Sequence, residues 1–274
     1  MAFQGLHPFP TGWYCLGFHW ELRAPQHGIW CGRRLRTRPV RDGVQIEAFD
    51  GRPCHIVHQQ DAVFLWHNEA GGPPDWALPV LEETGWSRYS GHCWPRLRSH
   101  PQETSENSVD IAHFTFIHGY EDVREIAPAT VEGPILSARY GITRNAIPFI
   151  HRHFKLQAEF NVQVIGLGYS LVENNIRNLG IRTRQMVYAT PLDGNHIALR
   201  IAGSVRSLPL GPLKRPVNHL ARWAMMQGFI QDVTDDLVIW ENKRFLDRPR
   251  VVSGDGPIGR YRAWARQFYP ATAS

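Results

Sequence analysis

The spacing of apolar residues changes character after about residue 80. Before that point, short apolar runs are separated by Gly, Pro and Asp, which predicts a small, mostly β region. The predicted strands there cover residues 13–18, 44–49 and 63–66. Residues 85–102 are aromatic and basic without a regular period, which predicts irregular structure. We therefore predict a β-rich unit over residues 1–80 and a larger domain over residues 81–274.

The larger region shows two periodicities. Apolar and polar residues alternate over 127–142, 153–174, 182–190 and 196–205, which predicts strands, with an antiparallel pair around the turn at 191–195. Residues 105–118 have helical spacing with Ser105 as the predicted N-cap. Residues 212–243 predict one long helix whose apolar stripe is Leu220, Trp223, Met226, Ile230, Val233, Leu237 and Trp240. The predicted class is α+β, with an antiparallel sheet packed on this C-terminal helix.

Composition excludes several classes of protein. With 30 Lys and Arg against 25 Asp and Glu, the net charge is +5 and no block of five like charges occurs, which is not typical of a nucleic-acid binder. No run of about 18 apolar residues predicts a membrane span, and the first residues do not resemble a secretory signal. Four cysteines are too few for a disulfide framework, so we expect a reduced, cytoplasmic protein.

Two segments carry candidate metal chemistry. His113 and His118 are five residues apart, about 140° on an ideal helix, so their rings converge only where the helix is distorted or ends near Gly119. Two imidazoles and one carboxylate form the facial ligand set of non-haem Fe(II) sites. Acidic residues inside the long helix are candidates for the carboxylate, because an unpaired buried carboxylate is costly. They are Asp232, Asp235 and Asp236. Spacing alone also allows a coincidental histidine pair and solvated acids.

Both segments resemble the catalytic half of Rieske-type non-haem iron oxygenases. The first, ENSVDIAHFTFIHG, is similar to the family's iron-binding pattern, and the second, DDLVIWENKRFLDRP, to its C-terminal ligand helix. The stretches GWYCLGFHWEL, AVFLWHNEAGGPPDWALP and GPIGRYRAWARQFYP agree with the steroid and sterol branch. The resemblance implies a helix-grip (START-like) catalytic domain and a trimer or mixed oligomer.

The resemblance also implies a role for each matching residue. His113, His118 and Asp236 become ligands of one mononuclear Fe(2+), with Asp235 as the alternative third ligand. Asp110 becomes a bridging acid that hydrogen-bonds a ligand histidine and relays an electron, and Asn107 a polar residue near the iron. Apolar residues that are expected to line a cavity above the iron, or simply to form core, are Phe154, Leu156, Phe160, Val162, Met186, Trp223, Met226 and Phe229.

The N-terminal part departs from the family. A [2Fe–2S] Rieske cluster requires Cys-x-His and Cys-x2-His, and neither spacing occurs. We therefore expect a reduced remnant of the Rieske domain, no [2Fe–2S] cluster in this chain, and cysteines that act as small buried residues.

The predicted function is that of the terminal component of an oxygenase, a hydroxylase or desaturase, using Fe(2+) and O2 on a bulky apolar, steroid- or sterol-like substrate. Its electrons would arrive in trans from a ferredoxin, a reductase or a cluster-bearing oxygenase subunit. The alternatives are a non-catalytic lipid-binding or assembly paralogue of such an oxygenase, and an inactive truncated gene product.

Overall fold

The computed structural model describes residues 5–145, 155–207, 214–250 and 254–270. In those ranges the strands are β1 (Gly12–Phe18), β2 (Gln26–Trp30), β3 (Arg33–Val40), β4 (Gly43–Ala48), β5 (Ile56–Gln59), β6 (Ala62–His67), β7 (Ser90–Arg98), β8 (Glu121–Glu132), β9 (Ile135–Asn145), β10 (Lys155–Ile165), β11 (Tyr169–Ile176), β12 (Ile181–Asp193) and β13 (His196–Val205). The α-helices are α1 (Pro101–Glu106), α2 (Ile111–Phe116), α3 (Lys214–Asn242) and α4 (Ile258–Ala265), and a 3-10 turn, Arg266–Phe268, follows α4.

Seven antiparallel strands form the central sheet, in the order β7-β13-β12-β11-β10-β9-β8. Side chains alternate between its two faces, as the strand period requires. On β12, Met186 and Tyr188 lie in one buried cluster, whereas Val187 and Ala189 lie in another. Both faces of this part of the sheet are therefore covered by other elements.

The long helix α3 covers one face, where Met226, Val233 and Trp240 pack with residues of β13. The N-terminal three-stranded sheet, ordered β1-β6-β5, covers the other face. Its aromatic side chains meet those of β11 and β12 in one cluster that includes Trp13, Phe64, Tyr169 and Tyr188. A second three-stranded sheet, β2-β3-β4, lies beside this one.

A buried ionic network holds α1 against the ends of α3 and α4. Lys243, the residue after α3, places its Nζ 2.9 Å from Glu103 Oε2 and 3.5 Å from Glu106 Oε1. Arg262 of α4 binds Glu106 through both Nε (2.6 Å) and Nη2 (3.0 Å). Burial raises the pKa of Glu103, whose side chain is fully enclosed. The network fixes the segment that leads from α1 into α2.

The structure confirms the α+β class, with more sheet than helix, and the strand pair 182–190 and 196–205. The helix-grip description and the division at residue 80 stay predictions. Residues 85–102 are not irregular, because Ser90–Arg98 forms the edge strand β7 on β13. The alternating segment 127–142 belongs to two strands, β8 and β9, which turn at Gly133.

Two predictions about helices were wrong. Residues 105–118 contain only the end of α1 and the whole of α2, and α1 is capped by His100, not by Ser105. Asn107 ends α1 and Asp110 caps α2. Short polar side chains bond readily to nearby backbone, which favours such a break over a continuous helix. The stripe on α3 is also shorter than predicted, since Leu220 and Trp223 are 62% and 56% exposed.

Candidate metal centre

The end of α2 brings two imidazoles together. Asp110 caps the helix, and its Oδ1 accepts a hydrogen bond from the backbone N–H of His113 (3.0 Å). The helix stops at Phe116, and Gly119 has φ 62, which reverses the chain just after His118. The Nε2 atoms of His113 and His118 consequently lie 3.0 Å apart, with the two rings nearly perpendicular at 88°. A helix end near Gly119 is what the five-residue spacing required.

The long helix α3 contributes a carboxylate to the same point. Asp236 is 5% exposed, and its Oδ1 lies 2.9 Å from His113 Nε2 and 3.7 Å from His118 Nε2. Asp235 points away: it is exposed, and its Oδ1 accepts a hydrogen bond from Gln231 Nε2 (2.8 Å). Of the two adjacent aspartates, only Asp236 meets the histidines. Their role as iron ligands stays a prediction.

The three side chains suit a divalent metal ion. Oδ1 of Asp236 is buried without a hydrogen bond from the described residues, because its short approach to His113 lacks hydrogen-bonding geometry. Burial lowers the pKa of His118, which favours the neutral imidazole that binds metals. Two ligands about 2.1 Å from an ion and at right angles lie roughly 3.0 Å apart. Two of the observed separations, 2.9 and 3.0 Å, match that value, and the third, 3.7 Å, is wider.

This group stands alone among the described residues. Within those ranges it is the single set of three or more His, Cys, Asp or Glu side chains whose ligand atoms, here within 4.8 Å of one another, could hold a metal ion. The four cysteines form no disulfides; burial raises the pKa of Cys15 to about 12 and that of Cys93 to about 11. Such thiols are protonated at neutral pH. The predicted lack of a [2Fe–2S] cluster stays a prediction.

Asn107 and Asp110 lie next to the histidines in different ways. Asn107 Nδ2 is 3.4 Å from His113 Nε2, so this amide borders the same point. Asp110 touches the backbone of His113, and among the described contacts its carboxylate has no hydrogen bond to an imidazole ring. The buried Nδ1 of His118 has no hydrogen-bond partner in the same set. The bridging role of Asp110 stays a prediction.

A charged network beside the metal centre was not predicted as such. Asp232, one helical turn before Asp236, forms two hydrogen bonds with Arg144 of β9, at 3.0 and 3.3 Å. The hydroxyl of Tyr120 donates to Asp232 Oδ2 (3.1 Å) and accepts from Arg144 (2.9 Å). Asp232 was a candidate ligand in the sequence, but Arg144 neutralises it instead. Nothing in the sequence signalled the distant partners Arg144 and Tyr120.

A cavity of about 360 Å³ adjoins the metal centre between the central sheet and α3. Its walls include four of the side chains expected there: Leu156, Phe160, Val162 and Phe229. Met186 and Met226 form core, which was the other expectation: Met186 lies on the opposite sheet face and Met226 packs against β13. Trp223 does neither, because it is exposed. Phe154 falls outside the described residues. Three polar residues, Asn174, Thr183 and Gln185, also line the cavity.

Comparisons with known proteins agree with this architecture. A family profile described as "3-Ketosteroid 9alpha-hydroxylase C-terminal domain" matches residues 65–269. Cholesterol 7-desaturase nvd 1 of Ciona intestinalis is 26% identical, over 79% of this chain and 48% of that protein. The oxygenase component of 3-ketosteroid-9-alpha-monooxygenase from Rhodococcus rhodochrous is 26% identical, over 80% and 57%. The chain spans about half the length of the curated relatives it matches.

Solved structures share the fold at low identity. Dicamba monooxygenase bound to dicamba superposes with a TM-score of 0.70 at 14% identity, covering 94% of this chain and 96% of that one. NdmA of Pseudomonas putida CBB5 with caffeine gives 0.68 at 11% identity, covering 93% and 89%. None of the helices in the described ranges combines the length and the apolar character that crossing a membrane requires.

Proposed function

The chain belongs to the 3-ketosteroid 9alpha-hydroxylase C-terminal domain family, in the steroid branch of the Rieske-type oxygenases, and from this premise we propose that it is an oxygenase component that oxidises a bulky apolar molecule of the steroid or sterol class. His113, His118 and Asp236 would hold one Fe(2+), and the electrons would come from another protein. The relatives are named as an oxygenase component and as desaturases, and the proposal extends such an activity to this chain.

The observation that carries the proposal is the convergence of two imidazoles and one buried carboxylate beside an apolar cavity. When bound, iron supplies the redox chemistry by which O2 oxidises a C–H bond. His113, His118 and Asp236 would hold the ion as a facial set of three ligands, and the cavity adjoins these three side chains. The relative position of these groups supports oxidation of whatever molecule fills that cavity.

The other residues of the chain bind and orient the substrate. The apolar walls contributed by β10 and α3 remove the apolar surface of the substrate from water and exclude water from the metal centre. Asn107 offers an amide beside the metal-binding atoms. Arg144 balances the charge of Asp232, whereas no Lys or Arg of the described residues pairs with the buried carboxylate of Asp236.

The electron balance requires a partner. Converting R–H and O2 to R–OH and water consumes two electrons and two protons. A desaturation likewise needs two external electrons, because O2 must accept four electrons to become water and the substrate supplies two. We assign these electrons to a ferredoxin, a reductase or a cluster-bearing oxygenase subunit, since the sequence lacks the Cys-x-His and Cys-x2-His spacings.

The test loads the purified chain with Fe(2+) under anaerobic conditions and adds O2, a reduced ferredoxin and either androst-4-ene-3,17-dione or cholesterol. Mass spectrometry is expected to find a product heavier by one oxygen atom or lighter by two hydrogen atoms, and none with His118→Ala. A cluster-bearing oxygenase subunit replaces the ferredoxin in a parallel reaction. Steroid binding without a product under both conditions would contradict the proposal and favour the non-catalytic lipid-binding protein.

A further inference from the structure

Three polar side chains form a cluster on one wall of the otherwise apolar cavity. Asn174 of β11 lies directly opposite Thr183 of β12, and Gln185 is the next residue on the same face of β12. Asn174 Nδ2 donates to Thr183 Oγ1 (3.1 Å) and to Gln185 Oε1 (2.9 Å). Their neighbours on the wall include Val172 and Val187. Polar groups in such surroundings are costly unless they are hydrogen-bonded.

After the hydrogen bonds within the cluster are formed, some of its hydrogen-bond donors still have no acceptor among the described residues. Asn174 donates both hydrogens of its amide, one to Thr183 and one to Gln185. The hydroxyl hydrogen of Thr183 and the amide hydrogens of Gln185 donate no hydrogen bond within the described part of the chain. Because Thr183 and Gln185 both line the cavity, these donors are available to a molecule inside it.

Gln185 of the cluster lies near a part of α3 that is well separated from Asp236. Gln185 is paired with Gly203 of β13, and a Cβ atom on Gly203 would lie 2.7 Å from the side chain of Met225 in α3. Met225 precedes Asp236 by eleven residues, which is a helical rise of ~16 Å. The metal-binding groups and the hydrogen-bond donors therefore lie at different places on the cavity wall, and apolar side chains line most of the rest.

We propose that Thr183 and Gln185 donate hydrogen bonds to a ketone or hydroxyl oxygen at one end of a rigid polycyclic ligand, and so decide which end of the ligand faces His113, His118 and Asp236. The ligand class rests on the proposed function. The volume of about 360 Å³ lies in the range of pockets that bind small molecules. The apolar walls contact the ring system of the ligand, and the polar cluster binds its oxygen.

The test measures binding of two probes to the metal-free chain by displacement of a fluorescent ligand. The probes are 5α-androstan-3-one and the hydrocarbon 5α-androstane, which lacks the oxygen. A purely apolar cavity would bind the hydrocarbon more tightly, because the ketone would lose its hydrogen bonds to water. We expect the wild-type chain to bind the ketone about tenfold more tightly or better.

Three variants separate recognition from stability. The triple variant Asn174→Leu, Thr183→Val, Gln185→Met removes the whole cluster, so no polar partner is left unpaired, and it is expected to lose the preference for the ketone. Thr183→Val alone is expected to reduce it, which keeps the test valid if the triple variant does not fold. The matched control, Val172→Ala, removes apolar contacts on the same wall and is expected to weaken both probes equally.

The outcomes distinguish this inference from the proposed function. If the wild-type chain binds the hydrocarbon as tightly as the ketone, or if the triple variant keeps the ketone preference, the cluster is only a hydrogen-bonded link between β11 and β12. The inference is then wrong and the proposed function is untouched. If neither probe binds, the steroid-like ligand class itself is wrong, and both proposals are overturned.

Discussion

Replacing Asp236 by Asn, and Asp235 by Asn in a second variant, tests which of these two adjacent aspartates of α3 binds the metal ion. Asn has the same shape and keeps one oxygen, but it removes the negative charge from the group of three metal-binding side chains. The matched control is Asp235→Asn, which makes the same chemical change one residue earlier, on an exposed side chain bonded to Gln231. The assay is thermal unfolding of the chain with and without Fe(2+) under anaerobic conditions.

The expected shifts follow from linkage. An ion at 100 times its dissociation constant stabilises the folded state by about 2.7 kcal/mol, which corresponds to roughly 5–11 °C at 2–4 °C per kcal/mol. Loss of a residue that only supports a metal ligand already weakens affinity by about 10–100-fold. For a ligand itself we expect at least about 100-fold, which leaves ~0.4 kcal/mol, or about 1 °C, at the same iron concentration.

The metal-free proteins provide a second comparison. Asp236 Oδ1 is buried without a hydrogen bond from the described residues, so its replacement by an amide costs the metal-free chain little or stabilises it slightly. Asp235→Asn should leave both melting temperatures and the shift on adding Fe(2+) unchanged. The reasoning is refuted if Asp236→Asn keeps the full shift, or if Asp235→Asn loses it.

Three further predictions concern stability and the cavity. Burial lowers the pKa of His67 to about 4. The stability that the neutral, buried imidazole contributes is therefore fully present above pH 6.5 and is lost as the pH falls toward 4. Urea unfolding should show that the free energy of unfolding falls by up to about 3 kcal/mol over that range, and that it falls by less in His67→Leu. A slope unchanged by His67→Leu would contradict this. Gly228 lies inside α3 on the cavity wall with open space where a Cβ would be, so Gly228→Leu should weaken steroid binding at least about tenfold while the chain still binds one iron; unchanged affinity would place the ligand elsewhere. Lys243→Met leaves the carboxylate of Glu103 buried without its cation, at a cost of about 3–5 kcal/mol in the free energy of unfolding, and adding Glu103→Gln should recover most of it; equal losses in the single and double variants would show that the ion pair is not the cause.

The sequence predicts the parts of this fold whose signal is local. The stripe on α3 is regular enough to predict one long helix, and alternation in β12 and β13 predicts their pairing. Strand β7 escaped prediction because its exposed and half-buried residues have no clean alternation. Its conformation depends on hydrogen bonds to β13, about a hundred residues away in the chain.

For the metal-binding group, too, the sequence predicts the local features but not the contacts between distant segments. The spacing of His113 and His118 predicts a helix end, which the structure has. Helical phase also favours Asp236 over Asp235, because Asp236 lies three residues after the buried Val233 and four before the buried Trp240. Contacts across the sheet, such as Arg144 with Asp232, join segments whose separation carries no periodic signal. Such contacts follow only from the tertiary structure.

The most direct test counts the iron bound by the chain. The wild-type chain and the variants His113→Ala, His118→Ala and Asp236→Asn are incubated anaerobically with Fe(2+), freed of loose metal and analysed for iron per chain. We expect one iron in the wild-type chain and less than about a tenth of that in each variant, with the folded state verified by circular dichroism. A wild-type chain without iron, or variants that each keep one iron, would contradict the assignment of His113, His118 and Asp236 as the metal ligands.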